Sequence, residues 1–144
     1  MAAIKFNIKA RSENPTKTVV EARNFKIIVD EPKNLGGTDA GPNPVEYVLA
    51  ALAGCMNVVG HVVAKEMNFE LRSLELEIEG DLDPGKFMGT SMKERAGYKE
   101  IRVVLTPDAD ADKEILDKWI EAVEQRCPVS DNIANATPVK VAYK

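Results

Sequence analysis

The chain is poor in the residues on which several classes of protein function depend. Only 6% of its 144 residues are aromatic, one is histidine and two are cysteine. Structural zinc usually takes four ligands, so two cysteines and one distant histidine do not suggest such a site. The formal net charge is -4, and neither a basic surface nor a base-stacking surface is indicated. Nucleic acid and anionic membranes are therefore not expected partners.

The remaining composition is that of a soluble globular protein. Hydrophobic residues make up 44% of the chain and charged residues 29%, and this length suits one compact domain over residues 1–144. The N-terminal stretch lacks the apolar run of a secretory signal, so we expect a cytoplasmic protein. In that compartment both cysteines should rest mainly as thiols, and a disulfide would be transient.

One apolar stretch, residues 45–64, is long enough to cross a bilayer. It contains Glu46, Asn57 and His61, which are costly in lipid, and it has no basic flank on its N-terminal side. We therefore expect a buried helix of a soluble protein and no membrane insertion.

Apolar and polar residues alternate in several segments, as in half-buried strands. The first places Ile4, Phe6 and Ile8 on one face. The further predicted strands are residues 17–22, 24–32, 71–82, 98–106 and 138–144. The clearest is residues 71–82, where leucine and isoleucine alternate with glutamate. The polar residues 83–97 read best as a hairpin loop, although a gate over a cleft is the other interpretation.

Two helices are predicted between these strands. Asn43 and Pro44 are a favourable N-cap and first residue for a helix that runs to about Met67, with Glu46 in its first turn. Residues 107–126 form the second, amphipathic helix. The order of elements predicts an α+β fold with a mainly antiparallel sheet. Since the first helix is apolar nearly all round, it must be covered on more than one side, and we expect a homodimer.

The two cysteines differ in their settings. Cys55 lies in the middle of the long helix among small residues, where it is either a small buried hydrophobe or a thiol that a ligand can approach. Cys127 follows the second helix, and Pro128 can begin a new short helix with Cys127 at its N-cap, a position that stabilises a thiolate. The sequence leaves open whether the two thiols meet.

The segment LGGTDAGPNPVEYVLAALAGC, followed much later by CPVSDNIANATPVKV, resembles the OsmC/Ohr family of thiol-dependent hydroperoxide reductases. The resemblance implies an intertwined α+β homodimer, with a sheet wrapped around a long central helix and active sites at the subunit interface. It implies that Cys55 is the peroxidatic thiol and Cys127 the resolving thiol. An external dithiol would reset the pair, and no metal or bound cofactor would be needed.

Family members hold the reactive thiolate with an arginine paired with a glutamate. The resemblance assigns the acid to Glu46, although about 13.5 Å of helix, at about 1.5 Å per residue, separates Glu46 from Cys55, and the two lie on opposite faces. Arg11 and Arg23 are the two candidates for the arginine. His61 is turned about 120° from Cys55 and cannot serve it as a base along the helix.

Two functions therefore compete. The first is a peroxidase that reduces organic hydroperoxides to alcohols. The second is a protein of the same fold with little peroxidase activity, which binds a small apolar or thiol-bearing ligand at the dimer cleft.

Overall fold

The computed structural model describes all residues, 1–144. The chain divides into two compact parts, residues 1–50 and residues 51–144, which are described in turn. Their boundary falls within the longest helix.

The first part contains a small antiparallel sheet. Its strands are β1 (Lys9–Ser12), β2 (Thr18–Ala22) and β3 (Phe25–Val29), in the order β1-β2-β3. A loop containing a short 3₁₀ turn, Lys33–Leu35, then leads to the first helix, α1 (Pro44–Glu66). The predicted strands 17–22 and 24–32 are thus confirmed as β2 and β3.

The predicted strands at the two ends of the chain are not formed within a single chain, except that the first, residues 3–10, overlaps β1 at Lys9 and Ala10. Residues 1–8 and 136–144 form no strand, because no neighbouring strand of the same chain supplies partners for their backbone groups. The apolar residues of both alternating patterns are exposed: Ile4, Phe6, Ile8, Val139, Val141 and Tyr143.

The second part pairs two long strands and packs helices against them. Strands β4 (Leu71–Leu82) and β5 (Tyr98–Ala109) form an antiparallel sheet in which Leu76 lies opposite Leu105. As predicted, Leu74, Leu76 and Ile78 of β4 are partly buried and the glutamates between and after them are exposed. Helix α2 (Lys113–Arg126) and the short helix α3 (Pro128–Ala134) follow.

The start of α2 corrects the prediction of a helix over residues 107–126. Residues 107–109 continue β5, because Ala109 still pairs with Leu71. The helix begins only after Asp112, whose side chain accepts a hydrogen bond from the backbone N–H of Ile115.

The core of the second part lies where α2 crosses α1. Trp119 is fully buried, and its Nε1–H donates to the carbonyl oxygen of Gly60 at 2.8 Å. A Cβ at Gly60 would lie 3.1 Å from Cζ2 of Trp119, so a glycine permits this close approach. Leu52, Met56 and Val63 of α1 are buried in the same cluster.

Helix α1 is long and apolar enough to cross a membrane by length and composition. Its buried residues nevertheless make it a core helix of this fold. The opposite side of the helix is not covered within one chain, since Val58 and Val62 are 62% and 44% exposed.

Candidate functional site

The fold brings the two cysteines together. Cys55 lies partly buried on α1, and Cys127 lies fully buried at the junction of α2 and α3. Cys55 packs against the apolar cluster that contains Cys127, and the Cys127 thiol is among the groups that shift the pKa of Cys55. Both cysteines are free rather than joined in a disulfide. The sequence left open whether the two thiols meet, and the fold makes them neighbours.

Cys127 is fixed by the two helices that meet at it. Its backbone N–H donates to the carbonyl oxygen of Val123 at 3.1 Å and so closes α2. Its Sγ accepts the backbone N–H of Ser130 at 3.4 Å and so caps α3. The predicted N-cap position is confirmed, with Pro128 in the first turn of α3 as expected.

The surroundings of Cys55 favour its neutral thiol. Burial is the largest influence and raises the pKa of Cys55, and the Cys127 thiol raises it further. The backbone N–H of Val129 lowers this pKa by hydrogen bonding to the sulfur. No cationic side chain is among the groups that shift it. A reactive thiolate at Cys55 therefore requires a positive charge in addition to these contacts.

Glu46 closes a capping box at the start of α1. Its Oε2 accepts the backbone N–H of Asn43 at 2.8 Å, and Oδ1 of Asn43 accepts the backbone N–H of Glu46 at 2.9 Å. The predicted N-cap is thus confirmed, and the carboxylate of Glu46 serves the helix terminus. Oε1, the other carboxylate oxygen of Glu46, accepts no hydrogen bond from the backbone of this capping box.

The two candidate arginines occupy different settings in the small sheet. Arg23 begins the two-residue turn between β2 and β3 with a φ of 58°, a backbone conformation that favours glycine. Its guanidinium lies over the ring of Phe25, 4.9 Å from the centroid. Arg11 lies on the exposed strand β1 opposite Val19, beside a groove of about 120 Å³. Both arginines and Glu46 belong to the first compact part, and both thiols to the second.

His61 is exposed on α1, and its Nδ1 lies 2.9 Å from the carbonyl oxygen of Asn57. This contact is made within the helix and does not involve a thiol, in agreement with the sequence argument.

Asp30, which was not predicted from the sequence, organises the loop leading into α1. Asp30 is fully buried at the end of β3. Its carboxylate accepts hydrogen bonds from the hydroxyls of Thr16 and Thr38 and from the backbone N–H groups of Glu31 and Ala40. These donors hold the pKa of Asp30 well below its usual range. An aspartate directly after the apolar residues of a predicted strand was the only sequence signal available.

The elements and the site together define an α+β protein built around a pair of interacting thiols. The family model of the OsmC-like proteins matches residues 37–142, which includes both cysteines. The chain belongs to this family.

Similar proteins agree with this assignment. The organic hydroperoxide resistance protein OhrB of Bacillus subtilis (strain 168) is 29% identical over 123 residues, covering 84% of this chain and 82% of OhrB. The uncharacterised protein YmaD of the same organism is 30% identical over 138 residues, covering 90% and 87%.

Solved structures show the same fold. The OsmC-like protein of Mycoplasma pneumoniae superposes with a TM-score of 0.80 at 19% identity, covering 92% of this chain and 89% of that chain. OhrB of Bacillus subtilis superposes with a TM-score of 0.58 at 21% identity, covering 90% of both chains.

Proposed function

We propose that the protein is a thiol-dependent peroxidase that reduces organic hydroperoxides to alcohols. The observation that carries this proposal is the proximity of Cys55 and Cys127, which pack in one apolar cluster, where the Cys127 thiol adds to the rise that burial causes in the pKa of Cys55. The similarity to OhrB, which is named for organic hydroperoxide resistance, supports the same chemistry.

The reaction follows from the two sulfurs. The Cys55 thiolate attacks one oxygen of the hydroperoxide, the O–O bond breaks, and the departing alkoxide takes a proton to become the alcohol. Cys55 is left as a sulfenic acid. The Cys127 sulfur then attacks the Cys55 sulfur, a disulfide forms and water leaves. An external dithiol restores both thiols by exchange.

Exposure favours Cys55 as the attacking thiol. Cys127 is 0% exposed, whereas Cys55 is only partly buried. A peroxide therefore reaches Cys55 first, and Cys127 is placed to resolve the sulfenic acid that results. The apolar neighbours of Cys55 in the core cluster favour organic peroxides over hydrogen peroxide.

The positive charge that Cys55 needs is best assigned to Arg23. Arg23 begins a two-residue hairpin turn at a φ of 58°, a conformation that such turns require and that glycine or asparagine adopts with less strain, so the turn does not account for an arginine there. Arg11 has an ordinary strand conformation and carries no such signal. Glu46 would orient the guanidinium through the carboxylate oxygen that its capping box leaves open. The arginine comes from the same chain or from a second copy.

We also propose that the working form is an intertwined homodimer acting in the cytoplasm, with residues 1–144 as one functional domain. The exposed apolar face of α1 and the unpaired alternating segments at both ends of the chain are surfaces that a second copy would cover. The proposed cycle requires no cofactor, and neither nucleic acid nor a membrane takes part.

The test follows free thiols while cumene hydroperoxide is added to the reduced protein. The wild type should lose two thiols per chain and gain an intramolecular disulfide. Cys55→Ser should not react, and Cys127→Ser should stop as a sulfenic acid that dimedone traps. Unchanged thiol content of the wild type in excess peroxide would contradict the proposal.

One observation favours the second function. The contacts seen at Cys55 raise the pKa of its thiol and include no cation, which suits a protein that binds a small apolar or thiol-bearing ligand without reducing peroxide. Disulfide exchange of Cys55 with a small aromatic disulfide, in a protein inert to cumene hydroperoxide, would select this function.

A further inference from the structure

An ion pair joins the C-terminal ends of α1 and α2. Arg126 is the last residue of α2, and Glu66 is the last residue of α1. Both terminal nitrogens of Arg126 donate to Glu66, one to each carboxylate oxygen, with Nη2 to Oε1 at 3.1 Å. Such a bidentate pair fixes orientation as well as distance.

This pair lies next to Cys127 in the chain. Because Arg126 directly precedes Cys127, its contact with Glu66 restricts the direction in which the chain enters the junction of α2 and α3. The second attachment of α2 to α1 is the hydrogen bond from Trp119 to Gly60. The third is the junction itself, where Val129 and Cys127 lie in the same apolar cluster as Cys55.

We propose that Glu66 and Arg126 are positioning residues that hold Cys127 against Cys55 and thereby favour the disulfide between them. The pair touches neither sulfur and is not catalytic. The proposal deepens the proposed function, but it depends only on the proximity of the thiols and not on peroxide as the oxidant.

A glutathione buffer measures this positioning without peroxide. Two protein thiols and one oxidised glutathione give one intramolecular disulfide and two reduced glutathiones, so atoms and electrons balance. The equilibrium constant of this reaction reports how well the protein holds its two thiols in reach. It is obtained by trapping samples with a thiol reagent at several buffer ratios and separating the reduced and oxidised forms.

Arg126→Gln should lower this equilibrium constant about threefold to fivefold, the upper range for an exposed ion pair. Glu66→Gln should have the same effect, and the charge-exchanged double variant Glu66→Arg, Arg126→Glu should recover most of the wild-type value. In wild type, 1 M salt should lower the equilibrium constant for disulfide formation toward that of Arg126→Gln, because salt screens exposed charges.

Arg72→Gln is the matched control. Arg72 pairs with Asp108 at side-chain exposures of 38% and 57%, close to the 45% and 54% of Arg126 and Glu66, but it lies on the β4–β5 sheet. The equilibrium constant for disulfide formation in Arg72→Gln should equal that of wild type. A constant in Arg126→Gln within about 1.5-fold of wild type, an equal fall in Arg72→Gln, or no recovery in the double variant would overturn the proposal.

The same variants separate this inference from the proposed function. A shifted glutathione equilibrium in a protein that ignores cumene hydroperoxide would support the positioning role and contradict the peroxidase. Normal peroxide turnover in wild type, together with an unchanged glutathione equilibrium constant in Arg126→Gln, would support the peroxidase and contradict the positioning role.

Discussion

Replacement of Trp119 by phenylalanine should destabilise the protein by about 2–3 kcal/mol. Trp119 is fully buried, and its Nε1–H donates to the Gly60 carbonyl. Loss of this hydrogen bond costs about 1 kcal/mol. The smaller ring also removes two buried carbons, at about 0.8 kcal/mol each. The edge-on contact with Phe69, whose ring centroid lies 6.4 Å away, is retained by a phenyl ring in similar orientation.

The assay is urea unfolding of the reduced protein. Trp119 is the only tryptophan, so the variant has no indole fluorescence and unfolding must be followed by far-ultraviolet circular dichroism. Both proteins are compared at the same concentration, because the proposed dimerisation would contribute to apparent stability. The slope of the unfolding free energy against urea should be unchanged, which shows that only stability differs.

Ile120→Ala is the control, because this neighbouring side chain of α2 is 38% exposed. It should cost clearly less than Trp119→Phe. A loss below about 1 kcal/mol in Trp119→Phe, or an equal loss in Ile120→Ala, would refute the view that the buried indole fixes α2 on α1.

Three further predictions concern the candidate site and the assembly. Burial and Cys127 raise the pKa of Cys55, so iodoacetamide alkylation of Arg23→Gly in a Cys127→Ser background should rise about tenfold per pH unit from pH 6 to 8. The Cys127→Ser protein that keeps Arg23 should be alkylated faster at pH 6, and its rate should rise less steeply with pH. Equal pH dependence in the two proteins, or a loss of rate at pH 6 only in Arg11→Gln, would show that Arg23 does not activate the thiol. Gly37→Ala should destabilise the protein in thermal unfolding, because its Cβ would lie 1.8 Å from the carbonyl oxygen of Glu31; an unchanged midpoint would contradict the observed loop. In sedimentation velocity the wild type should sediment as the proposed dimer and Val58→Asp as a monomer, since Val58 is 62% exposed on the uncovered face of α1. A dimeric Val58→Asp would place the interface elsewhere, and a monomeric wild type would contradict the dimer.

Local signals in the sequence predicted local structure well. Asn43 caps α1, the glutamates of β4 face solvent, and Cys127 caps α3. In each case the side chain or the alternation that gives the signal also makes the stabilising contact within a few residues.

The errors have non-local causes. Residues 107–110 are acidic, as at a helix start, yet β5 continues to Ala109 because Leu71 pairs with it. The alternation at Ile4, Phe6 and Ile8 describes a strand face, but one chain supplies no strand to pair with it. A period-two pattern specifies which side chains share a face, whereas pairing depends on segments distant in sequence or in another chain.

Asp30 shows how a buried polar group escapes sequence reasoning. Its acceptors are satisfied by donors from the turn before β2 and from the loop before α1. The sequence of neither segment indicates these hydrogen bonds to Asp30, because turn residues such as Thr16 and Thr38 are common in exposed loops. The network becomes evident only when the three segments are placed together.

Glu46 illustrates the difference between finding a residue and finding its role. The resemblance to the family implies that Glu46 is the acid of the site, but the length of helix between Glu46 and Cys55 excludes direct contact along α1. In the structure Glu46 stabilises the helix terminus, where one of its carboxylate oxygens closes the capping box with Asn43. A carboxylate so fixed cannot swing toward a thiol without opening the first turn of α1, but it can hold a guanidinium with its second oxygen at no cost to the helix. In the proposed site the charge that activates Cys55 therefore comes from an arginine, which is why variants of Arg23 and Arg11 discriminate between the two functions more sharply than any variant of Glu46.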